Sequence, residues 1–142
     1  MSTRPDMVST EIELKLVVSD GPDRPVHADL SYSHTDPYAV RVAFHTGGSE
    51  VVEWTFARSL LTDGVTHPVG DGDVQVWPAN GSGQPVVCLS LSSPSGRALF
   101  EAPLTRVVEF LTKTYTLVPT GSESDFVDVE SELASLLRDE AS

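Results

Sequence analysis

The sequence is poor in cysteine, in long apolar runs and in basic residues. A single cysteine, Cys88, stands among 142 residues, which excludes an internal disulfide and a zinc site built from several cysteines of one chain. No apolar run approaches the roughly 18 residues that a membrane helix needs, so we expect no membrane span. The first residues lack the basic and then apolar layout of a signal peptide, and we expect a cytoplasmic protein.

Basic residues are scarce: nine Lys and Arg stand against 21 Asp and Glu, a formal net charge of −12. Nucleic-acid binding depends on positive charge that displaces counterions from the phosphates. The acidic balance therefore disfavours nucleic acid as a ligand and favours a basic or neutral protein partner.

The chain also lacks a recognisable catalytic or metal-binding motif. Its histidines, His27, His34, His45 and His67, share no spacing typical of metal ligands, such as HxxxH. The segment GDGD at 70–73 resembles part of a calcium loop, but the other ligands of an EF-hand are missing, and a tight turn is the preferred interpretation. We expect no catalytic residue, no metal and no cofactor. A small hydrolase with two neighbouring carboxylates stays an open alternative.

Alternation of apolar and polar residues is the main feature that the sequence does contain. In 36–65, an alternating run, a turn at Gly47-Gly48 and a second alternating run precede a short helical pattern. We expect Gly64 to cap the C-terminal end of this helix. The predicted inner faces of the two strands are Tyr38, Val40, Val42 and Phe44, and Val52, Trp54 and Phe56. Residues 85–115 repeat the plan, with a turn at 94–96 and a helix that begins near Pro103.

Further alternating runs precede each of these units, so each half of the chain is predicted to be β-β-β-β-α. We expect an α+β fold with two duplicated halves, 8–64 and 65–118, in which antiparallel sheets are covered by helices. The whole chain, 1–142, is expected to form a single domain. An acidic segment with an apolar stripe predicts a C-terminal helix over 122–139, which packs on its own core or on a neighbouring subunit or partner.

Regular sheets leave edges that must be covered, so we expect a homo-oligomer. The sequence does not determine the number of subunits, for which we assume a trimer.

Six residues are candidates for contacts with a protein partner. Trp77 is either core or subunit interface, or an anchor for a partner. Arg41 and Arg58 either bind a partner or pair with an acid of their own subunit, for which Asp36, Glu53 and Asp63 are considered. The candidate set is Asp36, Arg41, Arg58, Asp71, Asp73 and Trp77.

Several segments resemble, in the same order, the SsgA-like proteins of actinomycetes, which are small acidic regulators of sporulation-specific cell division. The segments are DPYAVRVAFHT, VEWTFARSLLTDGV, GDGDVQVWP, SSPSGRALFEAP and FLTKTYTLVPTGSE. The resemblance spans roughly residues 8–138, and the N-terminal strand and VVCLSLSSPSG are most similar to the SsgB type.

The resemblance implies both a fold and a role. The fold would be similar to that of the Whirly and mitochondrial guide-RNA-binding proteins, whose halves each contain four strands and a helix. The role would be that of a non-enzymatic adaptor that helps recruit or position the tubulin-like protein FtsZ at the division septum, working with SsgA-type proteins. The alternative is a Whirly-type protein that binds single-stranded nucleic acid, which the negative charge opposes.

Overall fold

The computed structural model of the protein describes residues 7–18, 21–47, 50–81, 83–94 and 96–123. Within these ranges the chain forms eight strands and two helices. The strands of the first half are β1 (Met7–Val17), β2 (Arg24–Ser33), β3 (Ala39–Gly47) and β4 (Glu50–Ala57), followed by α1 (Arg58–Gly64). Those of the second half are β5 (Val69–Asp71), β6 (Val74–Gly81), β7 (Gln84–Ser93) and β8 (Gly96–Pro103), followed by α2 (Leu104–Leu117).

All of these strands belong to one sheet, in the order β4-β3-β2-β1-β8-β7-β6-β5. Each strand pairs antiparallel with its neighbours, as the alternating runs predicted. The two halves are joined where β1 meets β8, through Lys15–Glu101, Leu16–Phe100 and Val17–Leu99. The halves therefore share one continuous sheet, whereas the sequence predicted a separate sheet for each. Strand alternation does not show which strands pair across such a distance along the chain.

The helices connect the two halves. Helix α1 contacts β4 of the first half and β5 and β6 of the second, while α2 contacts β1, β7 and β8. Neither described helix is long and apolar enough to cross a membrane. A duplication of the Whirly type, with each half covered by its own helix, stays a prediction. The C-terminal helix predicted over 122–139 lies outside the described residues, which end at Glu123.

One face of the alternating strands forms the core. The buried residues of β2 are Val26, Ala28, Leu30 and Tyr32, and those of β3 are Val40, Val42 and Phe44. Phe44 stacks on Phe100 of β8 with ring centroids 4.7 Å apart, so the inner faces of the two halves meet there. Each buried Val, Leu or Phe of this set contributes roughly 1.5–3 kcal/mol to stability.

Two expectations about these elements are wrong. Tyr38 lies in the turn before β3 and is 52 % exposed, because the strand begins one residue later. Gly64 is the last residue of α1 and does not have the positive φ of a left-handed cap. A Cβ built at Gly64 would overlap Val76 Cγ1 and lie 2.6 Å from Val76 Cβ. This glycine is thus required by the close approach of α1 to β6.

Candidate interaction surface

Two of the predicted partner-binding residues, Asp36 and Arg41, line the same groove. It lies beside the turn between β2 and β3 and has a volume of about 210 Å³. Both charged side chains are exposed, and Met7, another lining residue, is 54 % exposed. The groove offers charges of both signs together with an apolar side chain, a combination that suits a protein partner.

Three further candidates lie at the hairpin of β5 and β6. The backbone of Asp71 pairs with that of Val74, and Gly72 has a φ of 61°, which is the geometry of a tight turn. Asp73 is exposed, and its carbonyl accepts a hydrogen bond from the Ser92 N–H at 2.9 Å. Trp77 is half-buried on β6. The structure thus brings Asp36 and Arg41 together and places the other three on a different hairpin.

The sixth candidate, Arg58, is 1 % exposed and has no surface to offer a partner. Its Nη1 donates hydrogen bonds to the carbonyls of Thr114 at 3.0 Å and Val118 at 2.8 Å. Its Nη2 donates to a carboxylate oxygen of Glu123 at 2.9 Å. One guanidinium thereby connects the start of α1 to the end of α2 and to the residues that follow it.

The surroundings of Arg58 compensate the burial of its charge. Its Cζ lies 4.9 Å from the ring centre of Tyr32 and 3.9 Å from that of Tyr115, so both rings make cation–π contacts. Hydrogen bonds from its own backbone N–H and from Arg58 lower the pKa of the Glu123 carboxyl, which favours the ionised form. Arg58 thus pairs within its own chain, but with an acid that is not among the three considered from the sequence.

A second groove lies between the two halves of the sheet, with residues of β3 and β4 on one side and residues of β7 and β8 on the other, and no sequence pattern predicted it. Its volume is about 290 Å³, and its lining residues are Phe44, Val52, Trp54, Leu91, Ser93, Gly96, Arg97, Ala98 and Phe100. Strand β4 is the end strand of the sheet, and its Val51 and Val52 are 50 % and 42 % exposed. The alternating pattern predicted that Val52 is buried. This prediction is wrong, because alternation does not reveal which strand lies at an edge of the sheet. The one signal in the sequence is the adjacent pair of valines, which interrupts the alternation.

A third cluster lies on the outer face of β2 and β3. The Nε2 of His45 lies 2.8 Å from one carboxylate oxygen of Asp29, and the Nε2 of His27 lies 3.2 Å from the other. The hydrogen bond from His45 is the main cause that lowers the pKa of Asp29. The spacing of the histidines along the chain gave no sign of this cluster, because strand pairing brings His27 and His45 together.

Comparison with known proteins decides the family. The family model described as "Streptomyces sporulation and cell division protein, SsgA" matches residues 26–123, more than half of the chain. The chain belongs to the SsgA family. It is 57 % identical over 137 residues to the sporulation-specific cell division protein SsgB of Frankia casuarinae, covering 96 % of each chain. It is 51 % identical over 130 residues to SsgB of Streptomyces coelicolor, covering 92 % of this chain and 95 % of the relative.

Two solved structures of this family are similar to the protein. An SsgA-like sporulation-specific cell division protein from Thermobifida fusca superposes with a TM-score of 0.86 at 46 % identity, covering 95 % of this chain and 98 % of that one. An SsgB structure concerned with longitudinal cell division during sporulation of Streptomyces coelicolor superposes with a TM-score of 0.82 at 52 % identity, covering 84 % and 94 %. The resemblance found in the sequence is confirmed, and the relatives support a role in sporulation cell division.

Proposed function

We propose that this protein is a non-enzymatic adaptor in sporulation-specific cell division that helps recruit or position FtsZ at septum sites. Family membership is the observation that carries the proposal, because the SsgA family is a family of cell-division proteins and not of enzymes. An SsgA-type protein is the second proposed partner. The protein would act in the cytoplasm, at the division septum.

The groove of Asp36 and Arg41 is the proposed contact with FtsZ. An adaptor needs accessible side chains, and both of these charges are exposed beside an exposed apolar residue. The β5–β6 hairpin, with Asp71, Asp73 and Trp77, is a second proposed contact. Arg58 has a supporting role instead, since its side chain is buried.

Co-sedimentation with FtsZ polymers tests the proposal. We expect the wild-type protein to pellet with the polymers and Arg41→Glu to bind about tenfold more weakly, a loss of about 1.4 kcal/mol. Lys113→Glu is the matched control: it makes the same charge change at an exposed position of α2 and should bind like the wild type. Absence of the wild-type protein from the pellet at every ionic strength would contradict direct recruitment. Equal weakening by both variants would show that net charge alone acts, and not this groove.

Nucleic-acid binding of the Whirly type has no support among these relatives, whose names concern cell division. The net charge of −12 also opposes it, because phosphates repel an acidic surface. Fluorescence anisotropy with labelled single-stranded DNA distinguishes the two functions. A submicromolar Kd at physiological salt would favour nucleic-acid binding over the adaptor.

Self-association through the edge of β4 is a further part of the proposal, with a trimer as the assumed state. Val51 and Val52 are exposed on the end strand, where unpaired backbone groups and apolar side chains favour pairing with another copy. We expect Val52→Lys to lower the mass measured by light scattering to that of one chain. Val108→Lys, at a 41 % exposed valine of α2, should leave the mass unchanged. A wild-type protein that is monomeric at high concentration would contradict this assembly.

A further inference from the structure

Strand pairing places three potential metal ligands side by side on the outer face of the sheet. His27 and Asp29 are two residues apart on β2, so both side chains point to the same face. His45 of β3 is the direct cross-strand partner of His27, and the centroids of the two imidazole rings are 5.2 Å apart. The three side chains are between 41 % and 46 % exposed, so an ion from solvent can reach them.

The distances suit a small divalent ion. In tetrahedral zinc sites the metal lies about 2.0–2.2 Å from nitrogen and oxygen ligands, which puts neighbouring ligand atoms roughly 3.3 Å apart. Here one potential ligand atom from each of the three residues lies within 4.8 Å of the other two. The shortest separation, 2.8 Å between His45 Nε2 and Asp29, has to widen by about 0.5 Å to reach the tetrahedral spacing. Rotation of exposed side chains is enough for such a change.

We propose that His27, Asp29 and His45 bind a zinc ion on the outer face of β2 and β3. Two imidazole nitrogens and one carboxylate are a donor set that favours zinc over magnesium or calcium, which prefer oxygen ligands only. Water completes the coordination, as in zinc sites with three protein ligands. This site is independent of the proposed contacts with FtsZ.

The surrounding charge favours a cation at this place. The Glu11 carboxylate lies 3.9 Å from His27 Nε2, and Glu13 is the cross-strand neighbour of His27 on β1. Both glutamates belong to a protein with a net charge of −12. A divalent ion would therefore relieve repulsion among three carboxylates that strand pairing brings to one face.

Metal binding requires a change of proton position on His45. In the structure its Nε2 faces a carboxylate oxygen at 2.8 Å, and since a carboxylate accepts, the nitrogen carries the proton. To bind zinc, this nitrogen must expose its lone pair, so the neutral ring changes to the tautomer in which its single N–H proton is on Nδ1. The change gives a spectroscopic signal, because the ¹⁵N shift of Nε2 moves when the metal replaces the proton.

The test is a calorimetric titration of the untagged full chain with zinc chloride, in excess magnesium chloride to saturate non-specific carboxylate sites. We expect one zinc ion per chain, a shift of the Nε2 signals of His27 and His45, and binding that is at least tenfold weaker in His45→Ala. This magnitude is a lower bound, because loss of a mere hydrogen-bond partner of a ligand costs about 10–100-fold.

His67→Ala is the matched control. His67 is exposed, like His45, and its Nδ1 is hydrogen-bonded to the neighbouring Thr66 hydroxyl. This variant should bind zinc like the wild type, and both variants should keep the wild-type circular dichroism spectrum. No zinc binding by the wild type in the presence of magnesium would overturn the proposal. Equal affinity of His45→Ala and the wild type would overturn it as well.

Discussion

Replacement of Arg58, the first residue of α1, by alanine is expected to lower the free energy of unfolding substantially. The substitution removes a buried cation that donates to two carbonyls and to the Glu123 carboxylate. Two of these three acceptors keep a hydrogen bond after the substitution. The Thr114 carbonyl still accepts from the Val118 N–H at 2.9 Å, and Glu123 still accepts from the Gly121 N–H at 2.8 Å.

The expected loss of unfolding free energy can be estimated from these contacts. Removal of one partner of a buried ion pair costs about 3–5 kcal/mol. The lower end applies, because the Glu123 side chain is 19 % exposed and water reaches it once the arginine is gone. The cation–π contacts with Tyr32 and Tyr115 are lost too, at roughly 0.5–2 kcal/mol that is not additive with the rest. We therefore expect Arg58→Ala to lower the free energy of unfolding by about 3 kcal/mol, out of a total of roughly 5–15 kcal/mol.

Urea unfolding at neutral pH measures this loss. With a slope of about 1–3 kcal/mol per molar urea, the midpoint should fall by at least about 1 M. Arg41→Ala removes an exposed arginine and should change the free energy by less than about 0.5 kcal/mol. Arg58→Lys keeps the charge without the planar fork and should lie between the two. A loss below about 1 kcal/mol in Arg58→Ala would refute the reasoning, since it would mean that water replaces the guanidinium without cost.

Two further predictions concern the packing of α1 and the stability of the fold at alkaline pH. Gly64→Ala should lower the free energy of unfolding by about 1–3 kcal/mol through overlap with Val76. Gly70→Ala should cost less, because its Cβ would lie 3.3 Å from the flexible Gln75 side chain and 3.6 Å from the Val74 carbonyl oxygen, an ordinary contact. Thermal unfolding compares the two variants, and equal midpoints would contradict the close approach of α1 to β6. Burial raises the pKa of Tyr32 from 10.0 to about 12. Its contribution to stability is therefore complete below pH 10 and is lost as the pH rises through about 12, so the stability difference between the wild type and Tyr32→Phe should shrink over that interval in urea unfolding. A constant difference would mean that the phenol is not held in its protonated form by the fold.

The strands were predictable because their signal is local. In β2, four apolar residues alternate with polar ones, and the structure buries all four of the former. The same holds for Val40, Val42 and Phe44 of β3, whereas Tyr38 fails only because the turn extends one residue further than expected. The order of elements follows from such patterns, since each pattern concerns one short run of neighbouring residues.

The buried arginine and the histidine cluster were not predictable, because both depend on contacts between distant parts of the chain. Arg58 begins a short amphipathic helix, and its acceptors at Thr114 and Val118 lie more than 50 residues away. His27 and His45 meet only when β2 and β3 pair in one register. A shift of that register by one residue would place them on opposite faces of the sheet. The spacing of residues along the chain therefore does not predict either site.

The three residue pairs between β1 and β8 have a consequence for how the chain folds during its synthesis on the ribosome. Strand β1 is synthesised first, but the segment that pairs with Lys15, Leu16 and Val17 is not made until residues 99–101 have been added. During that interval one side of β1 has no neighbour, and a nascent strand with free backbone groups is a template for unwanted pairing with other chains. Closure of the sheet must therefore be a late event in folding, and the rate at which the chain leaves the ribosome limits how soon β1 is protected.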